Sequence, residues 1–255
     1  MGRVAFVGAG PGAADLITVR GAARLAQADV VLCDALTDPA LRGLAPRAVW
    51  VAVGKRGFDH ATAQATINAL LVKHARASAL VVRLKGGDPS VFGRLEEELD
   101  ALARAGIECE VVPGVTAALA AAAATQRPLT RRGTQGSAGR SVSLATAVRC
   151  GGTVHASRTA DTEVFYMAGK QLGALSRRLL EAGWPAATPA SVVSRAGCAD
   201  VRHSDHSVLT LACASLVHAG RPTVVTVGTG ACAIGHAPPA AAVDGHPVSV
   251  EAPWP

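Results

Sequence analysis

Apolar and polar residues alternate along the first half of this chain in a pattern that predicts an α/β fold. Short apolar runs are typical of strands buried on both faces. They recur at residues 4–7, 30–33, 48–53, 81–84 and 110–112. The longer segments between most of these runs have the residue pattern of helices, and the helix predicted at 96–105 ends at Gly106. Residues 1–113 are therefore expected to form a mostly parallel sheet with crossover helices.

The second half shows a similar alternation without an obvious repeat. Strands are predicted at 142–147, 162–167, 190–193, 208–209 and 224–227, and helices at 116–124 and 171–182, the first of them capped by Thr116. We expect an N-terminal α/β domain at 1–113, a C-terminal α/β domain at 114–236, and a disordered tail at 237–255. The cleft between two such domains is a favoured place for a ligand.

The stretch at 81–94 is the most informative part of the chain. An apolar strand ends there in the turn Gly86-Gly87-Asp88-Pro89, and the acidic residues 96–98 then begin a helix. Ligands of open α/β sheets bind at the carboxyl ends of the strands, which favours a binding site at this turn. An ordinary strand-to-helix turn is the alternative.

Other polar groups follow neighbouring strands. Asp34 comes directly after the second predicted strand and Lys55 follows the third, so both are candidate functional groups; a loop or helix-capping role is the alternative for Asp34. His60, Gln64 and Asn68 are four residues apart and share one helical face, which either is solvated or borders a site.

The first glycine turn, residues 8–12, differs from the dinucleotide-binding fingerprint. Ala13 stands where that fingerprint needs its third glycine, and Pro11 removes a backbone N–H that a phosphate would use. This turn favours a ligand without a pyrophosphate.

Charge and cysteine content narrow the possible partners. The net charge of +6 suits an anionic partner, but no basic block is interleaved with aromatic residues, so a polyanionic small molecule is favoured over nucleic acid. The six cysteines contain no C-x-x-C pair and are expected to be buried free thiols in a reducing compartment. No signal peptide or long apolar run is visible, so a cytoplasmic protein without a membrane span is expected. His203 and His206 are expected in a polar loop rather than in a metal site.

Six segments, in this order and spacing, resemble the tetrapyrrole methylase family. They are VGAGPG at 7–12, DVVLCD at 29–34, VGKR at 53–56, QATIN at 64–68, RLKGGDPSVFGR at 83–94 and VPGVTA at 112–117. The resemblance covers roughly residues 3–230 and is densest in the first half. It implies two α/β domains, S-adenosylmethionine bound in the cleft between them, methylation of tetrapyrrole carbons, and a homodimer.

The resemblance also implies roles for individual residues. Asp34 corresponds to a proton acceptor and Lys55 to a proton donor. The substrate is a polyanionic tetrapyrrole, and candidates to bind its carboxylates are Arg56, Arg94, Arg131 and Arg132. The implied cofactor contacts are Pro11, Gly86, Gly87, Asp88, Val91, Thr116, Ala117, Met167 and Ala196.

The departures from the family pattern bear on the substrate more than on the cofactor. They include Cys33, Ala35, Arg131, the loop at 131–141 and the pair Ala147-Val148. Two alternatives therefore stay open: a methyltransferase for a different tetrapyrrole, and a diverged cofactor-binding paralogue of low activity. A nucleic-acid methyltransferase is disfavoured by the GKR and QATIN segments.

Overall fold

The computed structural model describes residues 2–54, 64–132, 139–148 and 152–235, and it has an α/β fold built on two five-stranded sheets. The predicted fold class is confirmed. Several residues discussed above lie outside the described residues: Lys55, Arg56, His60, residues 133–138 of the loop at 131–141, and the tail beyond 235. One of the six cysteines, Cys150, also lies outside them.

The first sheet is parallel throughout, with the strand order β3-β2-β4-β1-β5. Its strands are β1 (Arg3–Gly8), β2 (Val30–Cys33), β3 (Val49–Ala52), β4 (Leu80–Lys85) and β5 (Cys109–Val112). The helices of this half are α1 (Val19–Ala26), α2 (Gln64–Ala77) and α3 (Leu95–Arg104). A 3-10 helix, Pro39–Leu44, replaces the crossover α-helix between β2 and β3.

Helices cover both faces of this sheet, which explains the continuous apolar runs. Ala5 and Val7 of β1 belong to the core under α1, whereas Val4 and Phe6 point to the opposite face, under α2 and α3. Every residue of β4 is buried. Since both faces of the sheet are covered at its centre, the strands β1, β2 and β4 lack the alternation of a half-exposed strand, whereas the edge strands β3 and β5 are partly exposed.

The second sheet has the order β6-β7-β10-β8-β9 and is mixed. Its strands are β6 (Val142–Thr146), β7 (Thr162–Tyr166), β8 (Pro189–Ser194), β9 (Arg202–Ser207) and β10 (Thr223–Gly228); β6 pairs with β7 in parallel and the other pairs are antiparallel. Helices α4 (Ala117–Thr125), α5 (Leu172–Glu181) and the short α6 (Ser215–His218) accompany it.

The prediction of a strand at 208–209 is wrong, because the edge strand β9 ends just before it, at Ser207. β9 contains only charged and polar residues, which pair with β8 along one side. Edge strands often carry such residues, which discourage pairing with another chain. Hydrophobic periodicity therefore gives no signal for β9, and His203 and His206 lie in this strand rather than in a loop.

The cysteine expectation holds only in part. The described cysteines are free, with Cys33 and Cys232 buried, but Cys109 and Cys213 are exposed. In the described part of the chain, no helix is both long enough and apolar enough to cross a membrane.

We expect His218 to make the protein less stable in mild acid. Its ring is buried between the hydroxyls of Ser204 and Ser194, each 2.9 Å away, and burial, reinforced by His206 and Arg221, lowers its pKa from 6.5 to about 4. Below pH 6.5 the unfolded chain therefore takes up this proton before the folded chain does. The cost grows until about pH 4, with a ceiling of about 3 kcal/mol.

The measurement is the free energy of unfolding between pH 4 and pH 8 for the wild type and His218→Gln. Titration of the carboxylates affects both proteins, so the difference between the two curves isolates His218. Parallel curves across this range would contradict the assignment.

Candidate functional site

A cavity of about 430 Å³ lies where the carboxyl ends of the first sheet face the second half of the chain. This volume falls within the range of small-molecule sites, roughly 300–1,000 Å³. Asp34 lines it, together with all of the predicted cofactor contacts: Pro11, Gly86, Gly87, Asp88, Val91, Thr116, Ala117, Met167 and Ala196. The fold thus brings these residues together at one cavity, and their contacts with a ligand stay predictions.

Three glycine turns meet at the base of this cavity. Gly10 and Gly87 exchange backbone hydrogen bonds of 3.2 and 2.7 Å, joining the turns after β1 and β4. A Cβ atom on Gly114 would lie 2.3 Å from the carbonyl oxygen of Gly87 and 2.8 Å from the Cα of Gly8. Glycine is required here because the backbones are in direct contact.

The Asp88 carboxylate joins two of these turns. It accepts hydrogen bonds from the backbone N–H of Ser90 at 2.7 Å and from that of Gly114 at 2.9 Å. The first bond is the local turn expected for an aspartate, and the second reaches across to the turn after β5. Asp88 therefore shapes the cavity through the backbone.

Non-glycine residues with left-handed backbone conformations border the cavity. Phe92, Met167 and Arg195 have φ angles of 52°, 58° and 53°, and all three line it. Such conformations are costly for side-chain-bearing residues and are often retained at functional sites. Their position supports a binding role for this cavity.

Thr116 occupies the N-cap position of α4, but its side chain makes no capping bond. Its hydroxyl lies 2.8 Å from the Tyr166 hydroxyl instead, and the Tyr166 ring packs edge-on against Phe92 at 5.0 Å. The predicted capping role is therefore wrong, because Tyr166 of the second sheet competes for the hydroxyl. This pair connects the two halves of the chain across the cavity.

Asp34 lies at the end of β2 with its carboxylate directed toward β4. The carboxylate accepts a 2.7 Å bond from Arg83 Nη2 and a 3.3 Å bond from the backbone N–H of Gly86. The capping alternative belongs to Asp38, whose side chain caps the 3-10 helix at Ala40. Asp34 is 31% exposed and is thus both anchored and accessible from the cavity.

A buried ionic cluster lies behind Asp34 and was not predicted from the sequence. Glu98 of α3 is fully buried and bonds both Arg83, at 3.0 Å, and Lys85, at 2.8 Å. Burial, together with the positive charge of Arg83, lowers the pKa of Lys85. Burial also acts to lower the pKa of Arg83, but the negative charges of Asp34 and Glu98 outweigh this effect and raise that pKa. The signal in the sequence that could have indicated this cluster is the pair of basic residues, Arg83 and Lys85, in the otherwise apolar strand β4.

The polar stripe on α2 turns inward. Gln64 donates to Asn68 at 2.9 Å and to Glu98 at 3.2 Å, and Asn68 donates to the backbone carbonyl of Glu97 at 3.1 Å. Neither Gln64 nor Asn68 lines the cavities described here, so the described part of the stripe is neither a solvated face nor a border of the site; it packs behind the Asp34 cluster.

A second cavity, of about 760 Å³, adjoins the first and shares Phe92, Gly93 and Met167 with it. Arg94 lines this second cavity and pairs with Glu97. Arg131 instead donates to the backbone carbonyl of Cys232. Of the candidate arginines within the described residues, Arg94 alone borders either cavity described here.

Comparison with known proteins agrees with this architecture. The family model for tetrapyrrole (corrin/porphyrin) methylases matches residues 3–210. Uroporphyrinogen-III C-methyltransferase of Pseudomonas aeruginosa is 42% identical over 199 residues, which are 76% of this chain and 80% of that protein. Siroheme synthase of Baumannia cicadellinicola is 44% identical over 202 residues, which are 76% of this chain and 43% of that protein. The chain thus spans less than half the length of this siroheme synthase.

Solved structures of similar fold include two methyltransferases. Uroporphyrin-III C-methyl transferase from Thermus thermophilus, complexed with S-adenosylhomocysteine, is 37% identical with a TM-score of 0.77 and covers 90% of this chain and 98% of its own. A cobalt precorrin-4 methyltransferase is 28% identical with a TM-score of 0.76 and covers 90% and 96%. The match of the family model over most of the chain shows that this protein belongs to the tetrapyrrole methylase family.

Proposed function

We propose that this protein transfers methyl groups from S-adenosylmethionine to C2 and C7 of uroporphyrinogen III, yielding precorrin-2. The main support is the cavity at the strand ends, where Asp34 and the candidate cofactor residues meet. The names of relatives about 40% identical, and the S-adenosylhomocysteine complex of a similar structure, support the same substrate and cofactor.

The residues present fit this cofactor. In the turn at 8–12, Pro11 removes a backbone donor, and Ala13 stands in place of the third glycine of a pyrophosphate site; S-adenosylmethionine has no phosphate. Apolar side chains of Val91, Ala117 and Ala196 offer surface for its adenosine, while Gly86 and Gly87 expose backbone. When bound, the cofactor supplies an electrophilic methyl group on a sulfonium.

The work of the protein is to orient the two reactants and to move a proton. Holding the ring carbon, methyl group and sulfur in line accounts for much of the acceleration in such a transfer. The methylated carbon already carries a side chain and becomes quaternary, so the compensating proton leaves from another position of the tetrapyrrole. We assign Asp34 as the acceptor of that proton because it lines the cavity. We assign Lys55 as the proton donor on the family resemblance. We also assign Arg94 to a substrate carboxylate, and the support for this role is that Arg94 lines the second cavity.

Asp88→Ala is expected to weaken cofactor binding roughly tenfold, because the turns after β4 and β5 lose the carboxylate that joins them. Calorimetry with S-adenosylhomocysteine measures this change. Asp15→Asn, at an exposed position outside the cavity lining, serves as the control. Unchanged affinity in Asp88→Ala would remove Asp88 from the binding site.

The function itself is tested by S-adenosylhomocysteine release with freshly prepared uroporphyrinogen III. Turnover to a dimethylated product supports the proposal. The similarity to a cobalt precorrin-4 methyltransferase makes a precorrin the second candidate substrate, so both are assayed in parallel. Turnover of the precorrin alone would favour that alternative, whereas cofactor binding without turnover of either would indicate a diverged paralogue.

A homodimer located in the cytoplasm is part of the same proposal. It rests on the family resemblance and on the reducing compartment inferred from the cysteines. Light scattering of the purified chain tests the dimer, and a monomer at micromolar concentration would contradict it.

A further inference from the structure

We propose that Glu98 is a positioning residue that fixes the Asp34 carboxylate through Arg83. This inference rests on the proposed function, since it assigns a role to the buried cluster behind Asp34, the proposed proton acceptor. Glu98 itself does not line the cavity. Its influence on the reaction must therefore pass through other side chains.

The cluster is buried and electrically balanced. Glu98 is 0% exposed, and Arg83 and Lys85 are each 2% exposed. With Asp34, the set contains two cations and two carboxylates. Burying charges is costly unless each is paired and hydrogen-bonded, and a buried ionic set is weak evidence of a role in stability alone.

Arg83 is held from several sides. Its Nε donates to Glu98 at 3.0 Å and its Nη2 donates to Asp34 at 2.7 Å. Its Nη1 donates to the carbonyls of Leu32 and Leu84, at 3.4 and 3.2 Å. Because the guanidinium is planar and rigid, fixing Nε and Nη1 also fixes the direction of Nη2. Asp34 thus receives its bond from a group that cannot readily turn.

Glu98 is fixed in turn by its remaining partners. Its second carboxylate oxygen accepts from Lys85 Nζ at 2.8 Å, and the first also accepts from Gln64 at 3.2 Å. The Lys85 stem packs beneath the turn after β4, where a Cβ on Gly93 would lie 3.0 Å from Lys85 Cε. Strand β4, α2 and α3 therefore converge on Glu98, which transmits their rigidity to Asp34.

The test begins with Glu98→Gln, which keeps the shape and removes the charge. We expect kcat with uroporphyrinogen III to fall roughly 10- to 100-fold, as for supporting groups whose loss misplaces a reacting group. The affinity for S-adenosylhomocysteine and the KM for the tetrapyrrole stay within about twofold. Asp100→Asn is the matched control, because Asp100 lies on the same helix and pairs with Arg104 on the exposed surface.

A double-mutant cycle separates positioning from a merely structural role. Asp34→Glu keeps a carboxylate but displaces it by one methylene, so its rate is expected to fall and to stay measurable. If Glu98 acts through Asp34, adding Glu98→Gln to Asp34→Glu lowers kcat by no more than about threefold further. Multiplicative losses, or a wild-type kcat in Glu98→Gln, would overturn the inference.

Removing one buried anion leaves an excess cation, so Glu98→Gln is also prepared together with Lys85→Met, which restores the charge balance. If Glu98→Gln fails to fold, the double variant replaces it in every comparison, with Lys85→Met as the reference. A double variant as active as Lys85→Met refutes the positioning role. Absence of turnover in the wild type refutes the proposed function, whereas wild-type turnover with an unaffected Glu98 variant refutes this inference alone.

Discussion

Replacing Asp34 by Asn is expected to lower kcat by about 10²- to 10⁴-fold, the contribution of a general base. The amide matches the carboxylate in shape, and its oxygen can still accept the bond that Arg83 donates at 2.7 Å. The cavity should therefore keep its form. What is lost is the ability to accept the proton that the tetrapyrrole releases when the new carbon–carbon bond forms.

The expected signature is a loss of rate without a loss of binding. S-adenosylhomocysteine binding by calorimetry should match that of the wild type, and the thermal unfolding midpoint should fall because the buried Arg83 loses a charged partner. Asp38→Asn is unsuitable as a control because Asp38 caps a helix, whereas Asp15 is exposed and outside the cavity lining. A wild-type kcat in Asp34→Asn would assign proton acceptance to another group.

Local sequence sufficed to predict the first sheet but not the whole of the second. The central strands β1, β2 and β4 are buried on both faces, so their apolar runs stand out, and glycine turns mark the ends of β1 and β4. The edge strands β3 and β5 are partly exposed but still carry mostly apolar residues. β9 has no apolar residue, and its strand conformation is stabilised by pairing with β8. Only the tertiary partner distinguishes such a segment from a loop.

The candidate site likewise contains residues that the sequence predicts and residues that it does not. Asp34 and the glycine turns are recognisable because they follow predicted strands. Glu98, by contrast, resembles any acidic residue in the first turn of a helix. Its burial depends on how α3 packs over β4, which places it against Arg83 and Lys85. The spacing of these residues along the chain therefore does not predict that they are in contact.

Gly114 offers the most severe test of how the cavity is built. The turns after β1, β4 and β5 meet there backbone to backbone, and a Cβ on Gly114 would lie 2.3 Å from the Gly87 carbonyl oxygen. A flexible side chain could move aside, but a backbone carbonyl held within these turns cannot do so without moving the turns themselves. Gly114→Ala must therefore separate the turns or weaken the bond from its N–H to Asp88.

We expect Gly114→Ala to lower the free energy of unfolding by ~3 kcal/mol, a large effect for one methyl group, and to abolish measurable S-adenosylhomocysteine binding. Gly43→Ala is the matched control, because nothing lies within 4 Å of the Cβ it would gain. That control should stay within about 0.5 kcal/mol of the wild type. Denaturant unfolding and calorimetry measure both effects. Wild-type stability in Gly114→Ala would mean that the turns are looser than their contacts indicate, and cofactor affinity would then have to come from the side chains around the cavity instead of from a rigid backbone frame.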